Sequence, residues 1–60
     1  MNELKQLIQL FSPEQRISVE NFNNVLYKGT IADAGKWKES NLDLVECEII
    51  DNVLHIQVAV

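Results

Sequence analysis

Cys47 and His55 are the lone thiol and the lone imidazole of the chain, and a thiolate beside an imidazole base is one way to build an activated nucleophile. The two residues flank Asp51-Asn52. If that dipeptide forms a two-residue turn, Cys47 faces Ile56 and His55 faces Glu48, on opposite sides of one hairpin. Cys47 therefore reads as a small core residue rather than a nucleophile. Ser12, Ser18 and Ser40 lack the strand-turn-helix glycine pattern of a nucleophile elbow. Gly35-Lys36 is followed by Trp37 where a phosphate-binding loop needs Ser or Thr. One cysteine and one histidine cannot assemble a structural zinc site, nor one cysteine an internal disulfide. These residues predict no catalytic, metal or cofactor site, and hence a protein that is not an enzyme.

Two polar features remain. His55 across from Glu48 would form an ordinary exposed cross-strand pair contributing about 0.2–1 kcal/mol, with a carboxylate that favours the charged imidazolium. Asp43, Glu46, Glu48 and Asp51 crowd one stretch, and Glu46 and Glu48 share a strand face about 6.6 Å apart. That interval resembles successive phosphates, but solvated side chains that keep an exposed sheet soluble are the stronger reading.

Leu4, Leu7, Ile8 and Phe11 recur at helical spacing and predict an amphipathic helix over 2–11, ended by Ser12-Pro13. Ile17 and Val19 alternate with Arg16, Ser18 and Glu20, which predicts a strand near 15–21 followed by another near 25–31. With Phe22-Asn23-Asn24 as a three-residue loop and Asn24 left-handed, Val19 lies opposite Tyr27, Asn21 opposite Val25 and Ser18 opposite Lys28. Residues 43–50 and 53–59 predict a second hairpin. Its expected pairs are Ile49 with Leu54, Cys47 with Ile56 and Val45 with Val58 on one face. The other face carries Ile50 with Val53, Glu48 with His55, Glu46 with Gln57 and Leu44 with Ala59. Ala32 to Asn41 suits a crossing segment anchored by Trp37.

The expected fold is α+β: one domain over 1–60, with an N-terminal helix packed on a four-stranded antiparallel sheet of two hairpins. Its core should comprise Leu4, Leu7, Ile8, Phe11, Ile17, Val19, Tyr27, Val45, Cys47, Ile49, Leu54, Ile56 and Val58. Nine acidic against five basic side chains give a net charge of −4. That balance, with scattered Lys and Arg, argues against direct nucleic-acid binding. The chain has no apolar run long enough to span a membrane and no signal-peptide pattern, so a cytoplasmic location is expected.

The run Asn23-Asn24-Val25-Leu26-Tyr27-Lys28-Gly29-Thr30-Ile31-Ala32-Asp33-Ala34, followed by the alternating apolar hairpin Leu44 to Val58, resembles small uncharacterised proteins encoded by phages and prophages of Gram-positive bacteria. The leading helix is similar too. The resemblance implies a stoichiometric binder in the host cytoplasm, including the class that inhibits bacterial anti-phage defence systems, or a structural or adaptor module of a phage particle or operon. It carries over no functional residue.

A chain this short has a marginal core, and one helix covers one sheet face, so a symmetric homodimer is expected. The face left open would carry Leu26, Leu42, Leu44, Ile50, Val53 and Ala59. With Phe22 at a loop tip and the polar Glu46, Glu48 and His55, this defines the candidate interaction surface. Edge-strand pairing across a two-fold axis is the alternative geometry.

Overall fold

Pro13 and Gln15 tie the entry of the first strand to the exit of the second: Ala32 N–H donates to the Pro13 carbonyl at 2.9 Å and Ile31 N–H to the Gln15 carbonyl at 3.0 Å. In the computed structural model, which describes residues 3–59, the elements run α1 (Leu4–Ile8), β1 (Arg16–Asn21), β2 (Asn24–Thr30), a 3₁₀ turn (Gly35–Glu39), β3 (Asp43–Ile50) and β4 (Val53–Ala59). The class is α+β.

Helix α1 is shorter than the apolar spacing predicts, and the expected start at Asn2 lies outside the described residues. After Ile8 the chain tightens to i→i+3 bonds, Leu10 N–H to the Leu7 carbonyl at 3.1 Å and Phe11 N–H to the Ile8 carbonyl at 3.1 Å. This tighter winding brings Phe11 onto the core and leaves Leu10 exposed. At the other end, Glu3 N–H donates to Gln6 Oε1 at 3.2 Å, and Leu4 N–H donates to the Leu42 carbonyl at 2.9 Å, seating the helix beside the start of β3.

The sheet order is β2-β1-β4-β3. Both hairpins are antiparallel, but they meet through β1 and β4, which run parallel. The sheet is therefore mixed, not wholly antiparallel as the two hairpins suggested. Side-chain hooks at both ends secure the parallel pair. Gln15 Nε2 donates to the Asn52 carbonyl at 2.9 Å, and Asn21 Nδ2 donates to the Val58 carbonyl at 2.8 Å.

The first turn also differs from expectation. Asn21 pairs with Asn24, so the turn is Phe22-Asn23, and Phe22 rather than Asn24 takes the left-handed conformation, with φ 56°. Val19 opposite Tyr27 and Ser18 opposite Lys28 hold, because a bulge absorbs Leu26 as an extra residue on β2. The second turn is Asp51-Asn52, with φ 52° and 67°, as a two-residue hairpin turn with both central residues left-handed requires. Ile49 opposite Leu54 and Cys47 opposite Ile56 hold, and so do Ile50 with Val53, Glu48 with His55 and Glu46 with Gln57. A bulge at Val45 changes the rest: Leu44 pairs with Val58 and Asp43 with Ala59.

The core is Leu4, Leu7, Ile8, Ile17, Val19, Leu54, Ile56 and Val58, joined by Ile31 and Ala34, with Phe11, Tyr27, Trp37, Leu42 and Leu44 packed against it. Three expected core residues are exposed: Val45, Cys47 and Ile49. Val45 is lifted out by its bulge. Cys47 and Ile49 lie on the covered face, but on an edge strand beyond the reach of so short a helix. Ile31 and Ala34 enter because the crossing segment folds under the sheet, where Trp37 anchors it as expected, with Lys36 Nζ 5.2 Å from the centre of its ring. Gly29 permits a close approach: a Cβ there would lie 2.7 Å from the Tyr27 hydroxyl, which folds over it to donate to the Thr30 carbonyl at 2.7 Å.

Candidate functional site

The face of the sheet opposite α1 carries no covering layer among the described residues. Its centre is set by the parallel pairing, which places Ser18 beside His55 and Glu20 beside Gln57. Alternation along each strand sends all four side chains to this face. The Glu20 carboxylate sits at the hub. Ser18 Oγ donates to Glu20 Oε2 at 2.7 Å, Gln57 Nε2 donates to Glu20 Oε1 at 2.8 Å, and His55 Nδ1 lies 2.8 Å from Oε2. That last contact is an ion pair when the imidazole is protonated.

Bonds of this kind favour the ionised carboxylate. The hydrogen bond from His55 above all, then that from Ser18, holds the Glu20 carboxyl below its usual range, against the opposing effect of burial. Ser18 is 2% exposed, a buried polar residue on the face away from the core. Gln57 passes the network onward, since its Oε1 accepts the Phe22 N–H at 3.1 Å. The turn is thus tethered to the sheet centre through a chain of hydrogen bonds.

The expected interaction residues separate into groups. Phe22 protrudes at 75% exposure from the first turn, next to Val25 and Leu26, which are also exposed. At the opposite corner Ile50 pairs with Val53, exposed and half-buried respectively, while Glu46 and Glu48 stand exposed along β3. Leu44 does not belong to this surface, because the Val45 bulge turns it toward the core. Leu42 is likewise packed inward. His55 is half-buried, and its hydrogen-bonded carboxylate is that of Glu20 on β1, not that of Glu48 on β3.

Glu20, Ser18 and Gln57 were not singled out from the sequence. A signal was present, since Ser18 with Glu20 and His55 with Gln57 each share a strand face at i, i+2, but it has meaning only once β1 is known to lie beside β4.

No cavity opens among the described residues. No three of their His, Cys, Asp and Glu side chains gather as a metal ion would need. No helix among them is long and apolar enough to cross a membrane. No protein-family model, curated protein or solved structure matches this chain.

Proposed function

We propose that the protein acts without catalysis, as a stoichiometric binder of another protein, with the β1–β2 turn as its anchor. The observation that carries this reading is Phe22. A bulky residue at φ 56° occupies a conformation that costs about 1–2 kcal/mol for an L-residue and that Gly or Asn adopts far more readily. Its ring is 75% exposed and gains nothing from the fold. Backbone strain without an internal return is most often found where a side chain is held ready for contact, and exposed aromatics are favoured anchors of protein interfaces. The Gln57 tether fixes the turn in advance, which lowers the ordering cost of binding.

The resemblance to small phage and prophage proteins makes a bacterial anti-phage defence factor the first partner class to test. Self-association belongs to the same reading, with Ile50 and Val53 as the apolar contact for a second copy. The decisive experiment compares capture by the parent protein and by Phe22→Gly from a Gram-positive host lysate. The variant should keep its fold and lose its partner, a nuclease, helicase or comparable defence factor. Captured virion components would instead favour an adaptor role. A partner held equally by Phe22→Gly would remove the turn as anchor, and turnover abolished by a single substitution would overturn the non-catalytic reading. Sedimentation equilibrium of the parent and Val53→Glu reads the dimer.

A further inference from the structure

We infer that the open edge of β3 is a strand-docking site for an extended segment of another protein in which Lys or Arg alternates with apolar residues. This rests on the reading that the protein works by binding, but at a surface separate from Phe22. The chain at Glu3 bridges Asp43 and closes the start of that edge, whereas β3 is the last strand of the sheet and no described residue pairs with its outer side, away from β4, from Glu46 to Ile50.

The hairpin dictates which groups are free. Ile50 and Val53 flank a two-residue turn and so exchange both backbone bonds, and alternation makes Glu48 with His55 and Glu46 with Gln57 the next bonded pairs. The N–H and C=O groups of Cys47 and Ile49 therefore point away from β4, toward the open edge. Their side chains lie on the helix side, where Ile49 is 58% exposed although its partner Leu54 is buried. On the opposite side stand Glu46 and Glu48, both exposed and neither in an ion pair with a described residue. An added strand would thus meet carboxylates on one face and uncovered apolar surface on the other.

Charge selects the occupant. A second copy paired antiparallel about a two-fold axis keeps like faces together: registers centred on Cys47 or Glu48 set Glu46 against Glu48 of the second copy or Glu48 against itself, where like charges are unfavourable, and the register centred on Ile49 sets Glu48 against Ile50 and leaves both carboxylates without a countercharge. A strand presenting Lys or Arg to Glu46 and Glu48, and Val or Ile beside Cys47 and Ile49, satisfies both faces. The other open edge, β2, is interrupted within its length by the Leu26 bulge, which blunts strand addition, whereas the bulge of β3 precedes the stretch from Glu46 to Ile50.

The probe is an acetylated, amidated peptide of alternating Lys and Val, titrated into the ¹⁵N-labelled protein. Amide exchange of Cys47 and Ile49 should slow on binding. Affinity should fall about tenfold in the doubly substituted Glu46→Lys, Glu48→Lys protein. In antiparallel addition the Val amides of the peptide face the edge, so N-methylation at Val should abolish binding and N-methylation at Lys should spare it. Phe22→Gly should bind the peptide as the parent does, so the edge is judged separately from the turn. Absence of binding, equal binding of a peptide with Glu in place of Lys, unimpaired binding of the Val-methylated peptide, or loss of binding in Phe22→Gly would each overturn the proposal.

Discussion

Truncating Glu20 to Ala removes the acceptor of three side chains at once, and those side chains do not suffer equally. His55 and Gln57 are half-buried and can bond to water, so each loss amounts to about 0.5–1.5 kcal/mol at most. Ser18 is 2% exposed, and its orphaned hydroxyl costs about 1–3 kcal/mol. Glu20→Ala should therefore destabilise by roughly 2–6 kcal/mol, out of about 3–9 kcal/mol expected for a chain of this length. Ser18→Ala alone removes a single satisfied hydrogen bond and should cost about 1 kcal/mol. In the Glu20→Ala background the same substitution deletes the orphan and should restore about 1–2 kcal/mol. The sign of the Ser18→Ala effect thus reverses between backgrounds. Urea denaturation of the four proteins, followed by circular dichroism, measures the cycle. A coupling below about 0.5 kcal/mol, or Ser18→Ala destabilising both backgrounds equally, would refute the hub.

The same carboxylate sets an acid limb. Because the folded-state pKa of Glu20 is lowered, first by the His55 hydrogen bond, its contribution is complete above the unfolded carboxylate value and is lost as pH falls through the folded one. Denaturation midpoints taken from neutral pH to about pH 2 should show a smaller acid loss in Glu20→Gln than in the parent, and identical limbs would contradict the assignment. At the second bulge, deletion of Val45 should restore regular pairing with Leu44 still opposite Val58 and change stability by about 1 kcal/mol or less. Leu44→Glu places a charge against the core and should cost about 2–4 kcal/mol in thermal unfolding; a neutral effect would return Leu44 to the outer face.

The hairpins were legible because their information is local. Period-two alternation marks β1 and β4, Asp51-Asn52 marks a turn, and pairs close to that turn follow from side-chain complementarity alone. The bulges were not legible. Leu44 and Val45 are both apolar, as are Val25 and Leu26, so the pattern offered nothing to say which residue of each pair the sheet would discard. Phe22 was recognisable as an exposed apolar tip, but its left-handed backbone was not, since Asn23 and Asn24 offered the easier residues for that conformation.

The residues alone determined the number of elements, the two hairpins, most of their register and the lack of any local catalytic motif. Only the tertiary structure decided which strands of the two hairpins meet. Each hairpin offers two edges with similar alternation, and the choice is made by contacts distant in sequence: the apolar rows Ile17-Val19 and Leu54-Ile56-Val58 closing over α1, and the Gln15 and Asn21 hooks holding β1 parallel to β4. That choice brings Ser18, Glu20, His55 and Gln57 together, and it places β3 at the rim with its backbone unpaired. Both candidate surfaces are consequences of a long-range pairing, whose free energy depends on the whole packed layer rather than on any window of the chain.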